Sequence, residues 1–167
     1  MKKKIFAGII VALIGIYAIG AFLIYPLKNK DILKKYSEEF KVDKYVLAAI
    51  IKEESGFRNE DFSYKKEDKI GVMQIRDFAA EPLAKELGIE DFKGEDLTNK
   101  DTNIKIGTYY LSKNYNEKDL KSTMLKWQER NVSEKNPLMS KETAESLSDS
   151  MIKTSKMYKI FHPGFLF

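Results

Sequence analysis

The sequence predicts an all-α domain preceded by one N-terminal transmembrane helix, and two observations carry this prediction. Residues 5–27 contain no charged side chain, which is typical of a membrane span. Beyond them, helix-forming residues are interrupted by short polar breaks, and no stretch alternates apolar and polar residues with a period of two. A chain of 167 residues with 43% hydrophobic and 32% charged residues suits one globular domain with an appendage.

The uncharged N-terminal run is long enough to cross a bilayer. Its 23 residues would extend roughly 34 Å as a helix. Lysines at positions 2–4 predict a cytoplasmic N-terminus, so the rest of the chain would lie outside a single-pass cell-membrane protein. A cleaved signal peptide is the alternative, with Ala18-Ile19-Gly20 as a weak cleavage site, but its apolar region should be shorter. We therefore expect an anchor at 1–27 and an outer domain at 28–167.

Apolar spacing and capping residues predict the first two helices of the outer domain. Residues 31–40 form the first, because their apolar side chains recur every four residues on one face. Asp43 can cap a second helix over 44–55, and Gly56 is a natural stop.

Four further helices follow from the same signals. Asp77 can cap a third helix that reaches Leu87, and Thr102 or Asn103 can open a fourth that reaches about Tyr115. The last two predicted helices span 120–130 and 141–161. Between the second and third helices lies the longest connection of the domain, and loops of such length are often functional or mobile.

Composition excludes several classes of protein. The chain has no cysteine and a single histidine, His162, so disulfides, a thiolate nucleophile and Cys- or His-rich metal sites are excluded. We expect no metal and no cofactor. Three of the 29 basic residues lie at positions 2–4, and the outer domain is nearly neutral, which argues against a nucleic-acid partner.

Glu54 is the first candidate catalytic residue. Ile50 lies four residues before it and Ile51 three, so the carboxylate projects from the most apolar stripe of its helix. Partial burial and the negative end of the helix dipole both favour the protonated form, which a general acid needs. The alternative is a frayed surface residue like its neighbour Glu53.

Several motifs in order point to a family. The run Ala48-Ala49-Ile50-Ile51-Lys52-Glu53-Glu54-Ser55-Gly56-Phe57, a loop containing Ser63, and Gly71-Val72-Met73-Gln74-Ile75 resemble the catalytic core of the lytic transglycosylases of the soluble-type (SLT) family. These enzymes share the lysozyme-like fold of the goose type. The resemblance continues through residues 103–111 and is poor in the last third of the chain. Four motifs in the family's order are more specific than any one of them.

The resemblance implies cleavage of the β-1,4 bond between N-acetylmuramic acid and N-acetylglucosamine in peptidoglycan, without water as the acceptor. Glu54 falls on the family's single catalytic acid and Gln74 on its sugar-contacting glutamine, while Ser63 matches a loop serine near the N-acetyl group. In this chemistry one carboxylate protonates the leaving oxygen and then activates the sugar's own 6-hydroxyl. A 1,6-anhydro sugar results, and no second carboxylate is needed.

Two segments depart from the family pattern. The loop before Gly71 is two residues longer and carries Glu67, Asp68 and Lys69 where small residues are usual. The family's Ala-Tyr-Asn-Ala-Gly segment, whose tyrosine and asparagine line the cleft, is replaced by Lys126-Trp127-Gln128-Glu129-Arg130. Trp127 could stack on a sugar or pack in the core. A slow enzyme is expected unless another group replaces the lost tyrosine, and of Tyr109, Tyr110 and Tyr115 the sequence favours Tyr110.

The predicted substrate-binding residues are Ser55, Ser63, Gly71, Met73, Gln74 and Tyr110. Gly71 lacks a Cβ, which lets a chain or a sugar approach closely, although an ordinary turn would also explain it. For Met73, core packing is the better interpretation.

Three functions stay open at this stage. The first is a membrane-tethered lytic transglycosylase acting on peptidoglycan strands, which the retained Glu54 and Gln74 favour. The second is a catalytically weakened relative that binds glycan or a protein partner in an envelope complex, which the lost Tyr-Asn segment favours. The third is a lysozyme-like hydrolase, and the absence of an obvious second carboxylate counts mildly against it.

Overall fold

The computed structural model describes residues 2–58 and 63–165, and helices dominate this part of the chain. The seven α-helices described are α1 (Lys2–Ile19), α2 (Lys30–Phe40), α3 (Lys44–Ser55), α4 (Asp77–Glu86), α5 (Lys100–Ser112), α6 (Leu120–Gln128) and α7 (Lys141–Phe161). A π-helical segment, Gly20–Ile24, extends α1, and short 3₁₀ helices lie at Gly94–Thr98 and Pro163–Phe165. Extended pairing in the described ranges is limited to a bridge between Ile70 and Ile75. The predicted all-α class is confirmed.

Two predicted helix starts are wrong, and hydrogen bonding explains both. The side chain of Asn99, not Thr102 or Asn103, accepts the first free amides of α5, so this helix begins earlier than expected. Arg76 occupies the N-cap of α4 without a side-chain bond. One carboxylate oxygen of Asp77 accepts from the Phe78 amide at 2.8 Å, and the other accepts from the Tyr64 hydroxyl and from a backbone amide of the preceding loop.

Helix α3 forms the centre of the domain. Asp43 caps it through the amide of Tyr45 at 2.7 Å, and Gly56 ends it in the left-handed region with φ 65°. Residues 46–51 are all buried, because α7 packs along one side of α3 and α2 along another. A side chain near the end of α3 is therefore held by a rigid, fully packed helix.

A tight turn at residues 70–75 packs onto α5 through one buried amide. Asn103 accepts a hydrogen bond from the Met73 amide at 2.8 Å and donates to the carbonyls of Ile70 and Leu97 at 3.0 and 3.1 Å. Gly71, with φ +72°, lies so close that a Cβ there would be 2.2 Å from the Asn103 side-chain nitrogen. Both explanations for Gly71 apply, because it lies in a turn with positive φ and is also closely approached by the protein's own chain.

The C-terminal end of α1 contacts the C-terminal end of α7. The Tyr17 hydroxyl donates to the Phe161 carbonyl at 2.8 Å, and the Tyr25 ring stacks on Phe161 at 5.3 Å between centroids. Most apolar side chains of α1 point outward, with Val11 69% exposed. By length and composition Lys4–Ile24 is able to cross a membrane, a property shared by membrane anchors and signal sequences.

We predict that Gly71→Ala destabilises the domain by about 3 to 4 kcal/mol, because a left-handed alanine costs about 1 kcal/mol and the clash with Asn103 adds the rest. Gly88→Ala is the matched control, since Gly88 also has positive φ but nothing lies within 4 Å of its Cβ position. Denaturant unfolding monitored by circular dichroism measures both. Equal losses in the two variants would contradict the tight contact.

Candidate active site

Glu54 lies in the last turn of α3 with its side chain only 10% exposed. One oxygen, Oε1, accepts from the Trp127 indole nitrogen at 2.9 Å and lies 2.7 Å from Nη2 of Arg130. The neighbouring Glu53 is exposed and instead accepts from hydroxyl groups of α7. The alternative of a frayed surface residue is therefore wrong for Glu54.

Arg130 follows α6 and is among the most buried charged residues described, with 4% of its side chain exposed. Its guanidinium donates to the carbonyls of Trp127, Met73 and Gln74 at 3.1, 3.4 and 3.3 Å. The same group lies 4.1 Å from the centre of the Trp127 ring. Burial lowers the pKa of Arg130, and the charge of Glu54 opposes that shift. Arg130 thus joins α3, α6 and the 70–75 turn.

The contact with Arg130 makes Glu54 one half of a buried ion pair. Removing either charge would leave the other one buried without its counter-charge. Sequence reasoning missed Arg130 as a partner because no local periodicity links the end of α6 to the end of α3. The one available signal was its position in the segment that replaces the family's cleft-lining residues.

Trp127 is fully buried, so the expected stacking on a sugar is wrong and the core interpretation is confirmed. Its ring meets Tyr110 edge to face, with centroids 6.0 Å apart. Its indole N–H supplies a donor to Glu54. In the segment that resembles the family's Ala-Tyr-Asn-Ala-Gly, Trp127 occupies the position of the tyrosine. Both side chains are aromatic hydrogen-bond donors.

The expectation that Tyr110 replaces that tyrosine is corrected. The Tyr110 hydroxyl donates to the Lys126 carbonyl at 2.9 Å rather than to Glu54. Tyr109 bonds to Glu86 at 2.9 Å, and Tyr115 bonds to backbone near the start of α3. Burial raises the pKa of Tyr110, which keeps its hydroxyl a donor.

The other sequence-predicted residues occupy different environments. Gln74 has positive φ, 52°, and its side chain donates to the Gly71 carbonyl at 2.7 Å. Met73 is buried in the core. Ser55 is buried, and its hydroxyl donates to the carbonyl one turn earlier in α3 at 3.1 Å. Ser63 is exposed and follows residues 59–62, which lie outside the described part of the chain. Of these residues, only Gln74 and Met73 are linked to Glu54. Their carbonyls accept hydrogen bonds from the Arg130 guanidinium, which contacts Glu54.

A family model for the transglycosylase SLT domain matches residues 31–136. The chain belongs to the SLT family. The match includes Glu54, the 70–75 turn, Trp127 and Arg130, and it ends before α7. Membership supports a lysozyme-like domain with lytic transglycosylase activity on peptidoglycan in general terms. A comparison with curated proteins finds no match.

Three adjoining cavities form a groove on the SLT domain next to Arg130. The first, about 300 Å³, has Arg130 in its wall; the second, about 360 Å³, shares Lys135 and Asn136 with the first. The third, about 260 Å³, shares Glu67 and Phe78 with the second. A larger cavity of about 590 Å³ lies at the end of α4 and does not include Arg130. No cluster of three or more potential metal ligands occurs within residues 2–58 and 63–165.

We predict a coupling free energy of about 2 kcal/mol between Glu54 and Arg130 in the stability of the domain. Glu54→Gln and Arg130→Met each leave a buried partner without its counter-charge. The loss of unfolding free energy in each single variant therefore includes the loss of the same ion pair. Denaturant unfolding of the parent, both single variants and the double variant measures it. Additive losses would show that the ion pair does not form in solution.

Proposed function

We propose that this protein is a lytic transglycosylase that cleaves the bond between N-acetylmuramic acid and N-acetylglucosamine and forms a 1,6-anhydro sugar, with Glu54 as its acid and base. One observation carries the proposal. The Glu54 carboxylate is held by Trp127 and Arg130 at the junction of α3, α6 and the 70–75 turn. Family membership supplies the substrate class.

The two oxygens of Glu54 are available for different tasks. Both contacts use Oε1, and within the described chain Oε2 bonds to no protein group. In the proposed reaction Oε2 gives its proton to the glycosidic oxygen as the bond to C1 breaks. It then takes the proton of the muramic acid's 6-hydroxyl while that oxygen bonds to C1, which returns Glu54 to its starting protonation state. The remaining contacts on Oε1 hold the carboxyl in place.

The ion pair also supports a second candidate function. Glu54 forms an ion pair with Arg130, and a carboxylate in an ion pair has no proton to give in the first step. A domain that keeps this contact with its ligand bound would hold glycan or a partner protein of the envelope without cutting it. Turnover therefore requires a substrate complex in which Arg130 releases part of its hold on Glu54.

We predict that Glu54→Gln abolishes release of 1,6-anhydro muropeptides from purified peptidoglycan, because glutamine carries no transferable acid proton. Glu53→Gln, one residue away on the exposed side, should retain parental activity. Mass spectrometry of the released fragments distinguishes the candidates, with folding of each variant checked by circular dichroism. Reducing-end products would show a hydrolase, and glycan binding without any release would favour the binding function.

Trp127→Phe should reduce turnover by roughly tenfold or more, because the donor that positions Glu54 is removed while an aromatic ring is kept. The smaller ring leaves a cavity at a buried position, so circular dichroism checks that the variant is folded. Tyr110→Phe removes a neighbouring hydroxyl that bonds to backbone and should change turnover much less. Initial rates of anhydro product formation on the same peptidoglycan compare the two. A larger loss in Tyr110→Phe would contradict the role given to Trp127.

Residues 1–27 are proposed as an uncleaved anchor with the domain at 28–167 outside the cell membrane. Support comes from the length of the apolar helix and from the lysines that precede it. The outer domain begins directly after the apolar helix, so it would act on glycan, or meet envelope proteins, close to the bilayer.

Protease added to intact spheroplasts should digest residues 28–167 while a tag at the N-terminus stays protected until the membrane is broken. Immunoblotting with a tag at each end measures this. Mature protein in the medium beginning at or near Ala21 would show a cleaved signal peptide instead.

A further inference from the structure

Four basic residues line the first cavity of the groove, which we call the basic pocket. They are Lys69, Arg76, Arg130 and Lys135. The volume of about 300 Å³ accommodates a carboxylate or phosphate with the group that carries it. Asn131 adds an amide to the wall, and an apolar segment at 137–139 closes the far side.

The positive charge of the basic pocket is only partly balanced. Glu54 pairs with Arg130 at 2.7 Å, and Glu67 pairs with Lys135 at 3.2 Å. Arg76 bonds to the backbone carbonyl of Glu67, a neutral group. Burial lowers the pKa of Lys69, and the charges of Arg130 and Arg76 lower it further while Glu54 opposes them. These cations repel one another, so an anion placed among them would be bound favourably.

Two guanidinium N–H groups at the basic pocket also lack an acceptor. Nε of Arg76 and Nε of Arg130 are buried without a hydrogen-bond partner in the described part of the chain. Unpaired buried donors are uncommon because each costs free energy. Arginine side chains with free donors match the paired oxygens of carboxylates and phosphates.

We propose that the basic pocket binds an anionic oxygen group of the cell-wall polymer, and the identity of that polymer rests on the proposed function. Two parts of such a polymer carry this chemistry. One is the carboxylates of the peptide stems, and the other is the phosphates of polymers attached to the glycan.

Arg130 gives this site a link to catalysis. The same guanidinium holds Glu54 and lines the basic pocket. An anion in the pocket competes for that guanidinium and weakens its contact with Glu54, which frees the carboxyl for the proposed reaction. Glycan that carries the anionic group would then be cut in preference to bare glycan.

The experiment measures binding of the full chain, in detergent micelles, to purified peptidoglycan by cosedimentation. The test variant is Lys69→Gln with Lys135→Gln, two residues of the pocket that are not the Glu54 partners Trp127 and Arg130. The control is Lys141→Gln with Lys153→Gln, which makes the same change of charge on α7. Peptidoglycan is used untreated, stripped of peptide stems by an amidase, or stripped of phosphate-linked polymers by hydrofluoric acid.

The test variant should bind untreated peptidoglycan roughly tenfold more weakly than the parent, and the control should bind as the parent does. The treatment that removes this difference identifies the anion as stem carboxylate or as phosphate. Equal affinity of parent and test variant for untreated peptidoglycan overturns the proposal. A difference that survives both treatments assigns the anion to the lactyl carboxylate that the amidase exposes on the muramic acid. Release of anhydro products is measured separately on the same samples. A basic pocket in a protein that does not cleave would give the binding difference without products. Cleavage without this pocket would give products without the binding difference.

Discussion

The contact of Glu54 with Arg130 is the interaction on which the rest of the site depends. A carboxylate on the apolar side of a central helix is stable only when its charge is paired and its hydrogen bonds are made. Arg130 meets that need from the end of α6, and the same guanidinium donates to the carbonyls of Met73 and Gln74. The packing of the 70–75 turn on Asn103 is thus part of the support of Glu54.

This arrangement sets stability against the proposed reaction. A buried Glu54 is stabilised by its ion pair with Arg130, whereas the proposed cleavage needs a proton on that carboxyl. Trp127 adds a neutral donor, which holds the oxygen in place without adding a full charge. The site is therefore suited to conditional activity, in which the bound polymer alters the position of Arg130.

Local rules predicted much of the fold. Asp43 and Gly56 marked the ends of α3 correctly because capping depends on a few neighbouring residues. The same rules failed at α5, where Asn99 caps the helix while one expected cap, Asn103, is buried and bonds to the 70–75 turn. For the site, spacing was enough to single out Glu54. It was not enough to find Arg130 or the indole of Trp127, which lies 73 residues away, because their approach depends on how α6 packs.

The central claim is that the Glu54 carboxylate accepts a hydrogen bond from the indole N–H of Trp127. Because the chain has a single tryptophan, this hydrogen bond can be measured directly. A ¹⁵N–¹H correlation spectrum of the labelled protein contains one indole resonance. The structure predicts a downfield resonance that exchanges slowly with solvent and that moves in Glu54→Gln but not in Glu53→Gln. An indole resonance at the position of an exposed tryptophan, exchanging rapidly and unaffected by Glu54→Gln, would contradict the account.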